Sequence, residues 1–347
     1  MSTPDTATAW PSILAQLMAG ADLDRDSASE AMTAILSGDV TAVQIAGFLV
    51  AMRAKGETAA ELSGLLAGAL DAATYVPLTD AERASSVDIV GTGGDGSHSI
   101  NVSTMAALVV AGAGVPVCKH GNRSASSKCG SADLLELLGV VIEQSADGVA
   151  RCVREANIGF CFAPVFHPAF RFAGPPRREL GVPTAFNLLG PMANPGRVKR
   201  QLIGVADPRF AEPMIEALQS QGLSHAWVVH GGGLDELTTT ATSRVLALAD
   251  GAISEFEVDP TSFGLAPATD EDLRGGDPDH NALAIRRVLS GEHGPHRDIV
   301  LLNAAAGLVV GGVADDIAAG LEVAAASIDD GGAQRALDDL IRVSQAS

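Results

Sequence analysis

Between Gly91 and Asp133 the chain gathers residues whose types and spacing suit chemistry on a phosphate. Gly91-Thr92-Gly93-Gly94-Asp95 is followed by Asn101-Val102-Ser103-Thr104. Then come Lys119-His120-Gly121-Asn122-Arg123-Ser124-Ala125-Ser126-Ser127-Lys128 and Gly130-Ser131-Ala132-Asp133. Glycines let backbone N–H groups close on phosphate oxygens, as in an anion-binding nest, and a helix starting near Asn101 adds free N–H groups and the positive end of its dipole. An ordinary helix cap would use one of Asn101, Ser103 and Thr104, whereas a phosphate cradle uses all three. From Gly91 to Ala132 the balance is +2, with Lys119, Arg123 and Lys128 set against Asp95, inside a chain of formal charge −19. That local inversion is what a polyphosphate requires. The glycine spacing fits neither a dinucleotide fingerprint nor a Walker A loop, and taken alone it would equally describe a tight turn.

Two further groups matter. Asp235-Glu236 follows Gly231-Gly232-Gly233-Leu234, and adjacent carboxylates on a loop suit Mg²⁺, which is commonly held by one or two carboxylates plus substrate phosphates. An isolated surface Asp-Glu pair is more often solvated, so its weight depends on facing the same crevice. Arg177 and Arg178 either pair with Glu179 or its neighbours or offer a planar guanidinium to a substrate carboxylate. No Ser-His-Asp, zinc-type or disulfide-type constellation stands out.

The elements that must position these groups are legible from periodicity. Up to about residue 75 the chain reads as helices only, with capping-box patterns at Ser27-x-x-Glu30, Thr41-x-x-Gln44 and Thr58-x-x-Glu61 and a glycine stop at Gly38. Beyond it, short apolar runs alternate with amphipathic stretches. Strands are expected over 87–90, 115–118, 140–142, 159–162, 202–205, 226–229, 245–249 and 253–258. Helices are expected over 103–112, 132–138, 146–156, 209–219, 281–289, 299–309, 314–327 and 333–343. The pattern predicts a small all-helical domain (1–75) followed by a larger α/β domain (76–347) with a central, largely parallel sheet flanked by helices. In such sheets ligands bind beyond the carboxyl ends of the strands, so Gly91, Lys119 and His230, each placed directly after an apolar run, should line one crevice. The Pro- and Gly-rich segment 163–195 breaks the alternation. It is expected to cross back to the helical part, chiefly over 168–192.

Composition limits the function classes. Hydrophobic residues at 47% and charged residues at 19% mark a globular chain. A net charge of −19 argues against nucleic acid or an anionic membrane as partner, since both need a basic face. The longest apolar run, 106–118, is broken by glycines and Pro116 and is too short for a bilayer. With no Lys or Arg before Arg25 and no apolar h-region, no signal peptide is expected. Cys118, Cys129, Cys152 and Cys161 lack metal-type spacing, as suits reduced thiols in the cytoplasm.

These motifs closely resemble those of the anthranilate phosphoribosyltransferases, over nearly the whole chain. The matching runs begin at Gln44-Ile45-Ala46-Gly47-Phe48-Leu49 and Lys55-Gly56-Glu57-Thr58, include 162–168, 177–181, 187–195 and 233–237, and are most specific at Lys119-His120-Gly121-Asn122-Arg123-Ser124 and Asn187-Leu188-Leu189-Gly190-Pro191. The resemblance implies a Mg²⁺-dependent homodimer with its active site between a helical and an α/β domain. It joins phosphoribosyl pyrophosphate to the amine of anthranilate. Carried over residue by residue, the resemblance assigns Gly91, Gly94, Asp95, Ser99, Asn101, Val102, Ser103, Thr104, Lys119, His120, Gly121, Asn122, Arg123, Ser124, Ala125, Ser126, Ser127 and Ser131 to phosphoribosyl pyrophosphate. Gly91, Asn122 and Arg177, with His120 and His167 along the same path, go to anthranilate. Ser103, Asp235 and Glu236 go to the metal. Arg177 is preferred over Arg178 because it stands ten residues after His167, as in the family pattern. Ser99 stands where the family often has Thr, which keeps the hydroxyl, and the glycine-rich lead into Asp235 varies in length. No classical acid–base residue is assigned, because a neutral arylamine needs no strong base. Pyrimidine nucleoside phosphorylases share the fold and are the alternative. The Lys119–Arg123 run and Asp235-Glu236 favour the transferase, and phosphorolysis of thymidine or uridine would favour the alternative. A non-catalytic nucleic-acid-binding relative would need a strongly basic surface.

Overall fold

A computed structural model describes residues 6–124 and 127–346. Four helices, Thr6–Met18, Arg25–Ser37, Ala42–Lys55 and Ala59–Asp71, open the chain. The capping boxes at Thr41 and Thr58 form as read, with reciprocal bonds to Gln44 and Glu61. Glu61 does more than cap. Its buried carboxylate also accepts from the Leu23 N–H at 2.9 Å and the Lys55 ammonium at 2.9 Å, tying three helix ends together. The box expected at Ser27 is displaced. Asp24 is the cap, its carboxylate accepting from the Ser27 N–H at 2.7 Å, because an extended Asp at that position competes better than a Ser one turn further in. Gly38 ends the helix in the left-handed conformation at φ 82°.

The sheet comprises β1 (Val87–Gly91), β2 (Val117–Gly121), β3 (Ile158–Phe162), β4 (Arg200–Gly204), β5 (His225–Gly231), β6 (Ser243–Ala249) and β7 (Ala252–Val258), in the order β3-β2-β1-β4-β5-β6-β7. The first five strands run parallel, β6 runs against them and β7 returns in their direction, so the expected α/β fold with a largely parallel sheet is what forms. Register places Gly91 of β1 opposite Gly204 of β4, and the β1–β2 pairing that starts at Val87 and Val117 brings Gly121 level with them. Three strands thus end on glycine along one rim.

Three strand expectations are corrected. The run 140–142 does not join the sheet. Val140 N–H closes the preceding helix turn onto the Leu135 carbonyl, the Val141 N–H bonds the Ser344 hydroxyl, and Val140 and Ile142 bury against the C-terminal helix Gly332–Gln345. β2 begins and ends later than read, so Lys119 and His120 lie within the strand. β5 likewise extends through His230 to Gly231.

The two sheet faces carry separate cores. One packs under the helices Val102–Gly112, Pro295–Gly311, Ile317–Asp329 and Gly332–Gln345. The other joins Ile203, Val228, Leu246 and the helix Ala211–Ser220 to the four N-terminal helices through Phe48, Met52 and Leu62. The helix Ala185–Met192 contributes Phe186 and Leu189 to that second core, so the crossing segment is packed against the helical unit. No described helix is long and apolar enough to cross a membrane.

Candidate active site

Two of the rim glycines, Gly91 and Gly204, leave room for Asp235. A methyl group at Gly91 would overlap the Asp235 carboxylate, and one at Gly204 would overlap its backbone carbonyl. β5 delivers this loop through a tight turn in which Gly231 and Leu234 exchange backbone hydrogen bonds. Asp235 then accepts from the Gly93 N–H at 2.7 Å, and Glu236 from the Ser103 N–H at 3.1 Å. The carboxylate pair therefore closes against both the glycine turn and the start of the helix Val102–Gly112. Burial, and then the neighbouring Asp95, push Asp235 up to about 7, and burial with Asp235 beside it pushes Glu236 well above the usual carboxylate range. Two carboxyls so reluctant to ionise want a cation. Among the described residues no three His, Cys, Asp or Glu side chains could hold a metal by themselves. The donors fit Mg²⁺ shared with a phosphate better than a closed protein cage.

Lys119 is the cation at the centre. It is 2% exposed, its ammonium donating to the Ile89 carbonyl and lying 3.4 Å from the Ser103 hydroxyl. Burial lowers its pKa, opposed by Asp88 and Glu236. Asp88 was not singled out in the sequence, yet it is fully buried on β1. It accepts from the His120 N–H at 3.1 Å and from Asn194 at 2.7 Å, with burial pushing it up to about 6 against the pull of Lys119. A charge inside the apolar run Val87-Asp88-Ile89-Val90 was the available signal, because a buried carboxylate needs a partner.

Around this centre the expected cradle is partly assembled. Asn101 donates to the Cys129 carbonyl and accepts from Asn281, linking the helix start to the basic loop. Ser99 bridges to Arg274, and its neighbourhood with Ser127, Lys128, Gly275 and Gly276 forms a cleft. Asp95 is held by Ser97. Gly94 is exposed at φ 78°. Gly121 abuts the Ser131 hydroxyl, which donates to the Asn122 carbonyl. Ser124 bonds Ser127, and Lys128 is exposed beside them. Val102 and Thr104 turn their side chains into the core, leaving the site only their backbone. Ala125 and Ser126 lie outside the described residues. Arg123 differs most from a free cation. It is clamped by Asp133 at 2.9 Å and Glu136 at 2.8 Å on the next helix. The His230 ring bonds the Val205 carbonyl, just past the end of β4, at 2.9 Å.

A row of rings leads away from β2. His120 lies 5.0 Å from His167, His167 4.8 Å from Phe170, and Phe170 5.2 Å from Phe186, with the Arg177 guanidinium 5.0 Å over Phe186. Phe170 and Phe186 were not anticipated. Their only sequence signal was membership of the crossing segment. Among the described residues no carboxylate pairs with Arg177, and burial lowers its pKa. Arg178 is exposed on the same helix, Gly174–Leu180.

Residues 11–73 match the glycosyl transferase family helical bundle domain, and residues 83–334 match the glycosyl transferase family a/b domain. Helical bundle and largely parallel α/β sheet are thus those of a two-part glycosyl transferase. The chain is 51% identical over 342 residues to an anthranilate phosphoribosyltransferase of Salinispora arenicola, covering 97% of each. It is 53% identical over 334 residues to one of Rhodococcus jostii, covering 94% of this chain and 91% of that one. The crystal structure of anthranilate phosphoribosyltransferase from Thermus thermophilus superposes with a TM-score of 0.90 at 40% identity, over 96% of this chain and 99% of that one. The Saccharomyces cerevisiae enzyme in complex with PRPP and Mg superposes with a TM-score of 0.89 at 27% identity, over 98% and 99%. The chain belongs to the anthranilate phosphoribosyltransferases.

Proposed function

We propose that this chain transfers the phosphoribosyl group of phosphoribosyl pyrophosphate to the amine of anthranilate, giving N-(5-phosphoribosyl)anthranilate and pyrophosphate in tryptophan biosynthesis. The observation that carries the reading is the closure of Asp235 and Glu236 onto the N–H groups of Gly93 and Ser103, beside the buried ammonium of Lys119. Pyrophosphate lies along the glycine turn, Asn101–Thr104 and the loop after β2, where N–H groups and Lys119 meet the charge that develops as it departs. Ser103, Asp235 and Glu236 would hold Mg²⁺, which would supply positive charge against the leaving pyrophosphate. Asn122, at the end of β2, stands where the two substrates meet, and holding them in register supplies much of the rate. Arg177, with no carboxylate partner of its own, captures the anthranilate carboxylate. Arg177→Ala is expected to raise the KM for anthranilate at least tenfold (roughly the worth of one charge-assisted bond) with little change in the KM for phosphoribosyl pyrophosphate. Equal rises in both would count against the assignment.

The reading extends to a cytoplasmic homodimer divided near residue 75 into helical and α/β units, with 168–192 returning to the former. Its support is the apolar surface that the helical unit leaves in water, with Met18 80%, Val43 82% and Val50 45% exposed. Light scattering should give the mass of two chains, and a monomer at micromolar concentration would refute the dimer.

A further inference from the structure

Asn101 stands at the cap position of the helix Val102–Gly112 and does not cap it. A capping Asn lies in extended backbone and turns its side-chain oxygen onto the second or third N–H of its helix, here Ser103 or Thr104. Asn101 instead sits at φ −73° and ψ 68°, and both ends of its amide are engaged elsewhere. Its Nδ2 donates to the Cys129 carbonyl at 3.1 Å, and its Oδ1 accepts from Asn281 Nδ2 at 2.8 Å. The Ser103 N–H left over donates to Glu236 at 3.1 Å. The helix start thus gives up its own cap, and a site carboxylate takes the hydrogen.

Asn281 holds that arrangement. It is 1% exposed, in the first turn of the helix Pro278–Leu289, and its own Oδ1 accepts from the Gly276 N–H at 2.9 Å. A backbone N–H at one end and a backbone carbonyl at the other leave this pair of amides a single orientation. The segment that carries Gly276 is itself docked on the stretch before the cap. The Gly275 N–H donates to the His98 carbonyl at 2.8 Å, and the Ile100 N–H to the Leu273 carbonyl at 3.0 Å. A methyl group at Gly275 would overlap the Ser99 carbonyl, so the approach is close.

We propose that Asn281 is a positioning residue for the phosphoribosyl pyrophosphate cradle, acting through Asn101. It keeps Asn101 off the Ser103 N–H and docked on the loop after β2. The inference rests on the transferase reading above. Without the Asn281 bond, Asn101 Oδ1 is free to cap its own helix, which competes with Glu236 for the Ser103 hydrogen and releases the Cys129 carbonyl. The helix gains the cap it lacked, so the loss falls on binding of the phosphoribosyl donor and not on the fold.

Asn281→Ala is expected to raise the KM for phosphoribosyl pyrophosphate about tenfold, with kcat within about threefold and the KM for anthranilate within about twofold. In an Asn101→Ala background the same change should add no more than about twofold, because the group through which it acts is gone. Wild-type KM in the single variant, or a further rise of about tenfold in the Asn101→Ala background, overturns the proposal. An inactive wild-type protein would instead defeat the transferase reading. Should Asn281→Ala fail to fold, the cycle is run with Asn281→Asp, which keeps its volume and an acceptor for the Gly276 N–H but has no hydrogen for Asn101. Its added charge acts in either background, so only the lost bond makes the rise larger when Asn101 is present. An equal rise in both backgrounds overturns the assignment.

Discussion

Gly91→Ala should leave the protein folded and remove most of its transferase activity, whereas Gly204→Ala should damage the fold itself. Both glycines face Asp235, but they meet different parts of it. The methyl group at Gly91 meets the carboxylate first, 2.9 Å from Cγ, and a side chain can swing aside. The methyl group at Gly204 meets the backbone carbonyl, which is fixed by the turn out of β5 and by the Leu237–Asn303 hydrogen bonds just beyond it. Swinging Asp235 away breaks its bond to the Gly93 N–H and misplaces the carboxylate proposed to hold the metal, and displacements of that order cost about 10²-fold in rate. The expected result for Gly91→Ala is therefore a loss of about 10²-fold in kcat/KM for phosphoribosyl pyrophosphate, with stability reduced by less than about 1.5 kcal/mol. For Gly204→Ala the backbone must separate, at about 3 kcal/mol, the upper end of the usual overpacking range. Urea unfolding followed by fluorescence of Trp10 and Trp227, beside steady-state kinetics, distinguishes the two. Equal destabilisation by both would refute the account of the rim.

Lys119→Met should be the most destabilising single change at the site. The thioether fills much of the space but leaves Asp88 and Glu236 without the ammonium between them, and Asp88 is fully buried. Removing one partner of a buried charge pair costs roughly 3–5 kcal/mol. The cost carries a pH signature. Asp88 has a folded-state pKa of about 6, raised above its unfolded value of 3.8. Its ionised form is therefore the destabilised one, and the penalty is full above the folded pKa. The penalty shrinks as pH falls through that value toward 3.8. Without Lys119 the folded value rises further, so the variant should recover stability on going from pH 7.5 to 5. Adding Asp88→Asn to Lys119→Met should restore part of the loss, a coupling that a double-mutant cycle measures. A pH-independent loss with additive variants would mean that the two charges do not compensate each other.

Local rules made much of this molecule legible in the sequence. The boxes at Thr41 and Thr58, the glycine stop at Gly38 and the alternation of apolar runs with amphipathic helices depend on residues within one or two turns of each other, and they form where expected. The misses share a cause in distant partners. β2 runs on through Lys119 and His120 because Asp88 on the adjacent strand offsets the buried ammonium and accepts from the His120 N–H, which no local pattern reveals. The +2 balance counted Arg123 as free, yet its partners Asp133 and Glu136 sit just past the counted window. The run 140–142 looks like a strand and is apolar for another reason, its packing on a helix some two hundred residues later. At the site, the stretch of glycines, hydroxyls and cations was readable as types and spacing, whereas the ring row from His120 to Arg177 depends on how the crossing segment folds over β2.

The central claim is that the rim at Gly91, Lys119 and Asp235-Glu236 hands a phosphoribosyl group to anthranilate. It is tested most directly by following anthranilate fluorescence with the purified wild-type protein. The signal is expected to fall only when phosphoribosyl pyrophosphate and Mg²⁺ are both present, and to stop falling when a chelator removes the metal. A folded sample supplied with both, whose anthranilate signal stays constant, would contradict it.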